Sequence, residues 1–178
     1  MDSEIVFITG ATRGLGLGTE KELLKQGFKV IMTGRNKLDL QDSREALRSD
    51  GLEPHILQLD VSNEEDIENA RNHVQQKFGK IDCFINNAGI IIENDFSFSD
   101  LPKQKIFKTI ETNALGPLGL MQSFADLLAT SKNPRIVNVN SGMGSVTEMV
   151  SRIFGPQKRS LTPPSKEGFF RDGLKFPW

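Results

Sequence analysis

Ser141 stands in RIVNVNSGMGSV (135–146), where an apolar run of strand length gives way to small residues. A serine presented in that way can hold a substrate oxygen, but acid–base chemistry there needs a proton donor within a turn or two of following helix. The 178 residues contain no tyrosine, and the chain continues as TEMVSRIFGPQKRSLTPPSKEGFFRDGLKFPW. Near the other terminus, ITGATRGLGLG carries Gly10, Gly14 and Gly16. Glycines between a strand and a helix allow the backbone to approach phosphate groups closely. The helix N-terminus then offers unpaired N–H groups and the positive end of its dipole. The spacing is G-x3-G-x-G rather than the G-x-G-x-x-G of the commoner dinucleotide fingerprint.

The charges around that turn bear on the ligand. A site for NAD usually ends its second strand in an acid that binds the ribose hydroxyls. Here VIMTGRN supplies Gly34 and then Arg35, and Arg13 lies inside the glycine turn itself. Two guanidiniums suit a ribose 2′-phosphate, which a carboxylate would repel, so the expected cofactor is NADP(H).

These residues need a scaffold, and the chain supplies a recurring one. EIVFIT (4–9), FKVIMT (28–33), HILQL (55–59), IDCFIN (81–86) and RIVNVN (135–140) each have the length of a buried strand. Most are apolar on successive residues, as strands covered on both faces should be. Between the third and fourth, Ser62 and Glu65 form a capping-box pattern, and Ile67, Ala70, Val74 and Phe78 share one helical face before Gly79. A longer helical pattern covers about 100–131, with Leu118, Met121, Phe124 (or Ala125) and Leu128 on one side. Strands alternating with crossover helices predict an α/β fold, a doubly wound, Rossmann-like parallel sheet of about five strands.

Composition narrows the class. The length allows one sizeable core. A net charge of −1 points to neither nucleic acid nor a membrane surface. The lone Cys83, inside IDCFI, is expected to be a small buried hydrophobe. His55 and His73 make no metal-ligand spacing with it, and no metal site is expected. The N-terminal residues lack the features of a signal peptide and no run reaches the length of a spanning helix, so a cytoplasmic chain is expected. Residues 151–178 hold six basic residues against two acids and half of the eight prolines. The predicted organisation is therefore a dinucleotide-binding domain over 1–149 and an irregular tail over 150–178.

Taken together, TGATRGLG (9–16), LDV (59–61), NNAG (86–89), ETNALGP (111–117) and RIVNVNSG (135–142) resemble the motifs of the short-chain dehydrogenase/reductase family, in the family's order and spacing over residues 4–147. The resemblance implies NADPH-dependent reduction of a carbonyl, or the reverse oxidation of an alcohol, on a small-molecule substrate, with homo-oligomers common in the family. It implies cofactor contacts from Gly10, Thr12, Arg13, Gly14, Leu15, Gly16, Arg35, Asp60, Val61, Asn87, Ala88 and Gly89, with Asp60 at the adenine. It implies catalytic roles for Ser141, which would hold the substrate oxygen, and for Asn113, which would hold a water of the proton relay.

The family's tyrosine and the lysine one helical turn later, Y-x-x-x-K, are expected shortly after residue 150 and do not occur. Lys158 and Lys166 lie in a proline-rich stretch with no helix to fix them. Little or no catalysis is expected from this chain, since loss of a general acid costs roughly 10²–10⁴ in rate. Three origins fit the pattern: a family enzyme whose C-terminal part was lost by frameshift or premature end, a non-catalytic NADP-binding module, or a subunit working beside a complete partner. Without the family's later strands the fifth strand should form an exposed edge.

Overall fold

Four consecutive apolar residues, Ile5–Ile8, form β1, and all four are buried. Burial on both faces requires layers above and below the strand, and the rest of the chain provides them. The computed structural model describes residues 3–91 and 101–140, with the backbone of 169–171 and 174–176. After β1 come α1 (Gly14–Lys25), β2 (Lys29–Gly34), α2 (Lys37–Ser49) and β3 (His55–Gln58). They are followed by α3 (Glu64–Lys77), β4 (Cys83–Asn86), α4 (Lys103–Ile110), a π-helical turn (Glu111–Leu115), α5 (Gly116–Ala129) and β5 (Arg135–Asn138). The five strands pair in parallel in the order β3-β2-β1-β4-β5. The fold is thus the doubly wound α/β sheet expected from the alternation of strands and helices.

One core layer joins Phe7, Ile31 and Phe84 to Ile67, Ala70 and Val74 of α3 and to Leu120, Phe124 and Leu127 of α5. Phe7 stacks on Phe84 with ring centroids 4.8 Å apart. The other layer joins Val6, Ile8, Val30, Met32, Cys83 and Ile85 to Leu40 and Leu47 of α2, with Leu17, Leu23 and Leu24 of α1 against it. Cys83 is buried there, and burial pushes its thiol above the ordinary value. Strands β2 and β3 are added on one side of β1 and β4 and β5 on the other, so the order switches between β1 and β4 and a crevice opens at their carboxyl ends.

Several local expectations are corrected. The cap of α3 is Asn63, whose side chain accepts from Asp66 N at 3.1 Å; Ser62 instead bonds Asp60. The long helical stretch is broken by the π-helical turn, and Leu120, Phe124, Leu127 and Leu128 are the buried residues of α5, while Leu118 is exposed. Both faces of that leucine-rich segment have helical spacing, so periodicity could not choose between them. The edge strand β5 pairs only with β4 among the described residues, and Ile136 and Val137 are 48% and 44% exposed, as expected for an uncovered fifth strand.

The chain divides into two units, 1–138 and 139–178. The second holds two short antiparallel strands, β6 (Phe169–Arg171) and β7 (Leu174–Phe176), in a stretch expected to be irregular. In the sequence Asp172-Gly173 stands between them, a dipeptide suited to two-residue hairpins that carries no helix or strand periodicity.

The two histidines meet across β3 and α3. Their Nε2 atoms are 2.9 Å apart and their ring planes 13° apart with centroids at 5.1 Å, so the rings face each other end to end. The Lys77 ammonium lies 3.1 Å from His55 Nδ1 and can only donate, which leaves the His55 proton on Nε2 to be donated to His73. Burial first, then the charges of Lys77, His73 and Arg44, pull the His55 value down to about 4. No helix among the described residues is long and apolar enough to cross a membrane.

Candidate cofactor site at the sheet switch point

The end of β4 is bolted to the glycine turn. Thr9 Oγ1 accepts the backbone N–H groups of Asn87 and Ala88, each at 3.0 Å. Asn87 Nδ2 donates to Thr9 O and Gly10 O, each at 2.9 Å. Gly10 has φ +63°, and a Cβ there would lie 2.8 Å from Ala88 Cα, so no other residue fits without moving the second strand end. The N-cap of α1 is Arg13, and no side chain caps the helix. Its first-turn N–H groups are therefore directed at whatever occupies the crevice.

That crevice is a cavity of about 570 Å³. Gly10, Thr12, Arg13, Gly14, Leu15, Gly16, Arg35, Asp60, Val61, Asn87, Ala88 and Gly89 all line it. So do residues the sequence analysis did not name as site residues, among them Asn36, Asp39, Ile90, Lys108 and Thr112. Asn36 had a local signal, since an asparagine before a helical pattern is a preferred N-cap, and its side chain does accept from Leu38 N at 2.9 Å. Thr112 adjoins Asn113 within ETNALGP, whereas Lys108, on α4 far along the chain, had no such signal.

Asp60 Oδ1 accepts from Ser62 N at 2.9 Å and from Ser62 Oγ at 2.6 Å. Burial pulls the Asp60 carboxyl upward, but those bonds and the charges of Arg35 and Lys108 outweigh it and hold the group below the usual carboxylate value. The Asp60 N–H donates to Asp66 Oδ2 at 2.9 Å, tying this wall to α3. Among the described residues Arg13, Arg35 and Lys108 form no salt bridge. Three cations thus face one cavity without internal counter-charges within ion-pair distance, an arrangement suited to a polyanion.

Asn113 lies in the π-helical turn, a feature often found at functional sites. Its Oδ1 accepts from Ile90 N at 2.9 Å and its Nδ2 donates to Ile90 O at 2.8 Å. Both ends of the amide are used to hold the segment after β4, so this side chain positions the cavity wall. Ser141 lies outside the described residues.

A parallel sheet with an uncapped helix N-terminus and a glycine turn at its switch point defines the doubly wound, nucleotide-binding class of fold. Within that class the chain belongs to the short chain dehydrogenase family, whose model matches residues 4–161. Estradiol 17-beta-dehydrogenase 11 of Pongo abelii is 32% identical over 144 residues, covering 81% of this chain and 47% of that protein. The (+)-neomenthol dehydrogenase of Arabidopsis thaliana is 31% identical over 164 residues, covering 81% of this chain and 55% of that protein. The chain spans about half the length of the curated relatives it matches. Among solved structures, a variant of actinorhodin polyketide ketoreductase with NADPH is similar, with a TM-score of 0.74 and 29% identity over 82% of this chain and 57% of that one. A metagenomic short-chain oxidoreductase in complex with NADP has a TM-score of 0.71 and 25% identity, covering 78% of this chain and 62% of that one.

Proposed function

We propose that this chain binds NADP(H) in the switch-point cavity, as a member of a family whose chemistry is the interconversion of a carbonyl and an alcohol. The observation that carries the cofactor reading is the pair of guanidiniums, Arg13 and Arg35, without ion-pair partners among the described residues, in a cavity where β2 ends on Gly34 instead of an acid. The similar structures that hold NADPH and NADP support it. When bound, the cofactor would supply a hydride; the residues here hold its phosphates, and Asp60 offers an acceptor to its base. Fluorescence titration should find NADPH binding at least about tenfold tighter than NADH, the scale of one charge-assisted contact. Arg35→Ala should remove most of that preference. Equal or tighter binding of NADH would overturn the cofactor assignment.

For the chain by itself, the reading is cofactor binding without turnover. With no tyrosine in 178 residues, the Y-x-x-x-K acid of the family cannot be formed from it. Carbonyl reduction with NADPH should be undetectable across a panel of ketones and aldehydes. Turnover that disappears in Ser141→Ala would mean another residue supplies the proton, and Lys158 and Lys166 would be tested first.

A further inference from the structure

The two arginines that would read a 2′-phosphate come from separate segments, and their spacing must be held by something else. Arg13 follows Thr12 in the glycine turn, and Arg35 precedes Asn36, the N-cap of α2. Ser43, on the inner face of α2 and buried, donates from Oγ to Thr12 O at 2.9 Å. It is the one side-chain hydrogen bond between α2 and the glycine turn among the described residues. Its backbone counterpart on β2 is Ala11 N donating to Thr33 O at 2.9 Å. The two segments also touch directly: a Cβ built on Gly34 would lie 2.8 Å from Thr12 Cγ2. Thr12 is therefore seated over the end of β2, with its carbonyl held from the far side by Ser43.

We propose that Ser43 is a positioning residue for cofactor choice, fixing the distance between Arg13 and Arg35 so that both can engage one phosphate. This rests on the NADP(H) reading above. Ser43 lies off the cavity wall and does not touch the ligand; it acts through the turn that carries Arg13. The remaining wall, built from Asp60, Val61 and the Asn87–Ile90 segment, is anchored by other bonds and does not depend on it.

The experiment uses the full 178-residue chain and two ligands that differ by the phosphate alone, adenosine 2′,5′-bisphosphate and 5′-AMP, titrated calorimetrically. The intact chain should bind the bisphosphate more tightly. Ser43→Ala should lower that ratio roughly 3- to 10-fold, the worth of one hydrogen bond, with 5′-AMP affinity unchanged. Ser43→Thr, which keeps the hydroxyl, should restore it. In an Arg35→Ala background, Ser43→Ala should have no further effect on the ratio. An equal loss for both ligands would make Ser43 a packing residue and overturn the inference, as would an unchanged ratio. No preference for the bisphosphate in the intact chain would instead overturn the NADP(H) reading beneath it.

Discussion

Replacing Glu20 with methionine should stabilise the protein by about 3 kcal/mol at pH 7, raising the melting temperature by roughly 5–10 °C for a chain of this size. Glu20 sits on α1, one turn after Gly16, on the face that carries Leu17 and Leu24 against the sheet. Its side chain is fully buried, and neither carboxylate oxygen has a hydrogen-bond partner among the described residues. Burial alone raises its value from 4.5 to about 8, so the folded protein holds it protonated at neutral pH while the unfolded chain ionises it. The sign follows: stability from this group is complete below pH 4.5, declines as pH rises, and is lost by about pH 8. His55 works in the opposite direction, because its lowered value means stability lost as pH falls from 6.5 toward 4. At pH 6.5 the unfolded histidine is still half protonated and its slope opposes that of Glu20; toward pH 8 it fades, and the slope there belongs to Glu20, at most about 1.4 kcal/mol per pH unit. Glu20→Gln should flatten that slope with a smaller gain, since it removes the titration but keeps an unpaired amide. Thermal unfolding of the three proteins at pH 6.5, 7 and 8 checks this. An unchanged slope in Glu20→Gln would mean the carboxyl is solvated or paired.

A single methyl at Gly16 should cost the protein its ligand. A Cβ there would lie 2.5 Å from Asn87 Nδ2 and 2.5 Å from Gly10 O. Asn87 cannot retreat cheaply, because its amide donates to both Thr9 O and Gly10 O. Either those bonds break or α1 moves away from the turn, taking the N–H groups meant for phosphate with it. Gly16→Ala is expected to destabilise the fold by ~2 kcal/mol and to weaken NADPH binding roughly 10- to 100-fold. Gly18→Ala is the control on the same helix: it is exposed, and nothing lies within 4 Å of its added Cβ. That change should leave binding intact and add about 0.5–1 kcal/mol of stability. Equal behaviour of the two variants in calorimetric titration would refute the close-packed turn.

Strand positions and the parallel sheet were readable from the chain because their signals are local, and the residues expected at a cofactor line one cavity. Successive apolar residues in β1, β2 and β4 announce cover on both faces, and most of the cavity-lining residues fall within a few residues of strand ends. The same locality explains where reading stopped. Glu20 looked like an ordinary helical glutamate, and only packing α1 on the sheet shows that it is sealed from water. Asn113 reaches Ile90 across 23 residues, Ser43 reaches Thr12 across 31, and His73 reaches His55 across 18. Lys108 lines the cavity although it lies far along the chain from the glycine turn and the ends of β1 and β2. Such pairings carry no periodicity and no fixed spacing, since a folded contact depends on where two elements cross. What a short segment prefers is written in its own residues; what a polar side chain is paired with depends on the path of the whole chain.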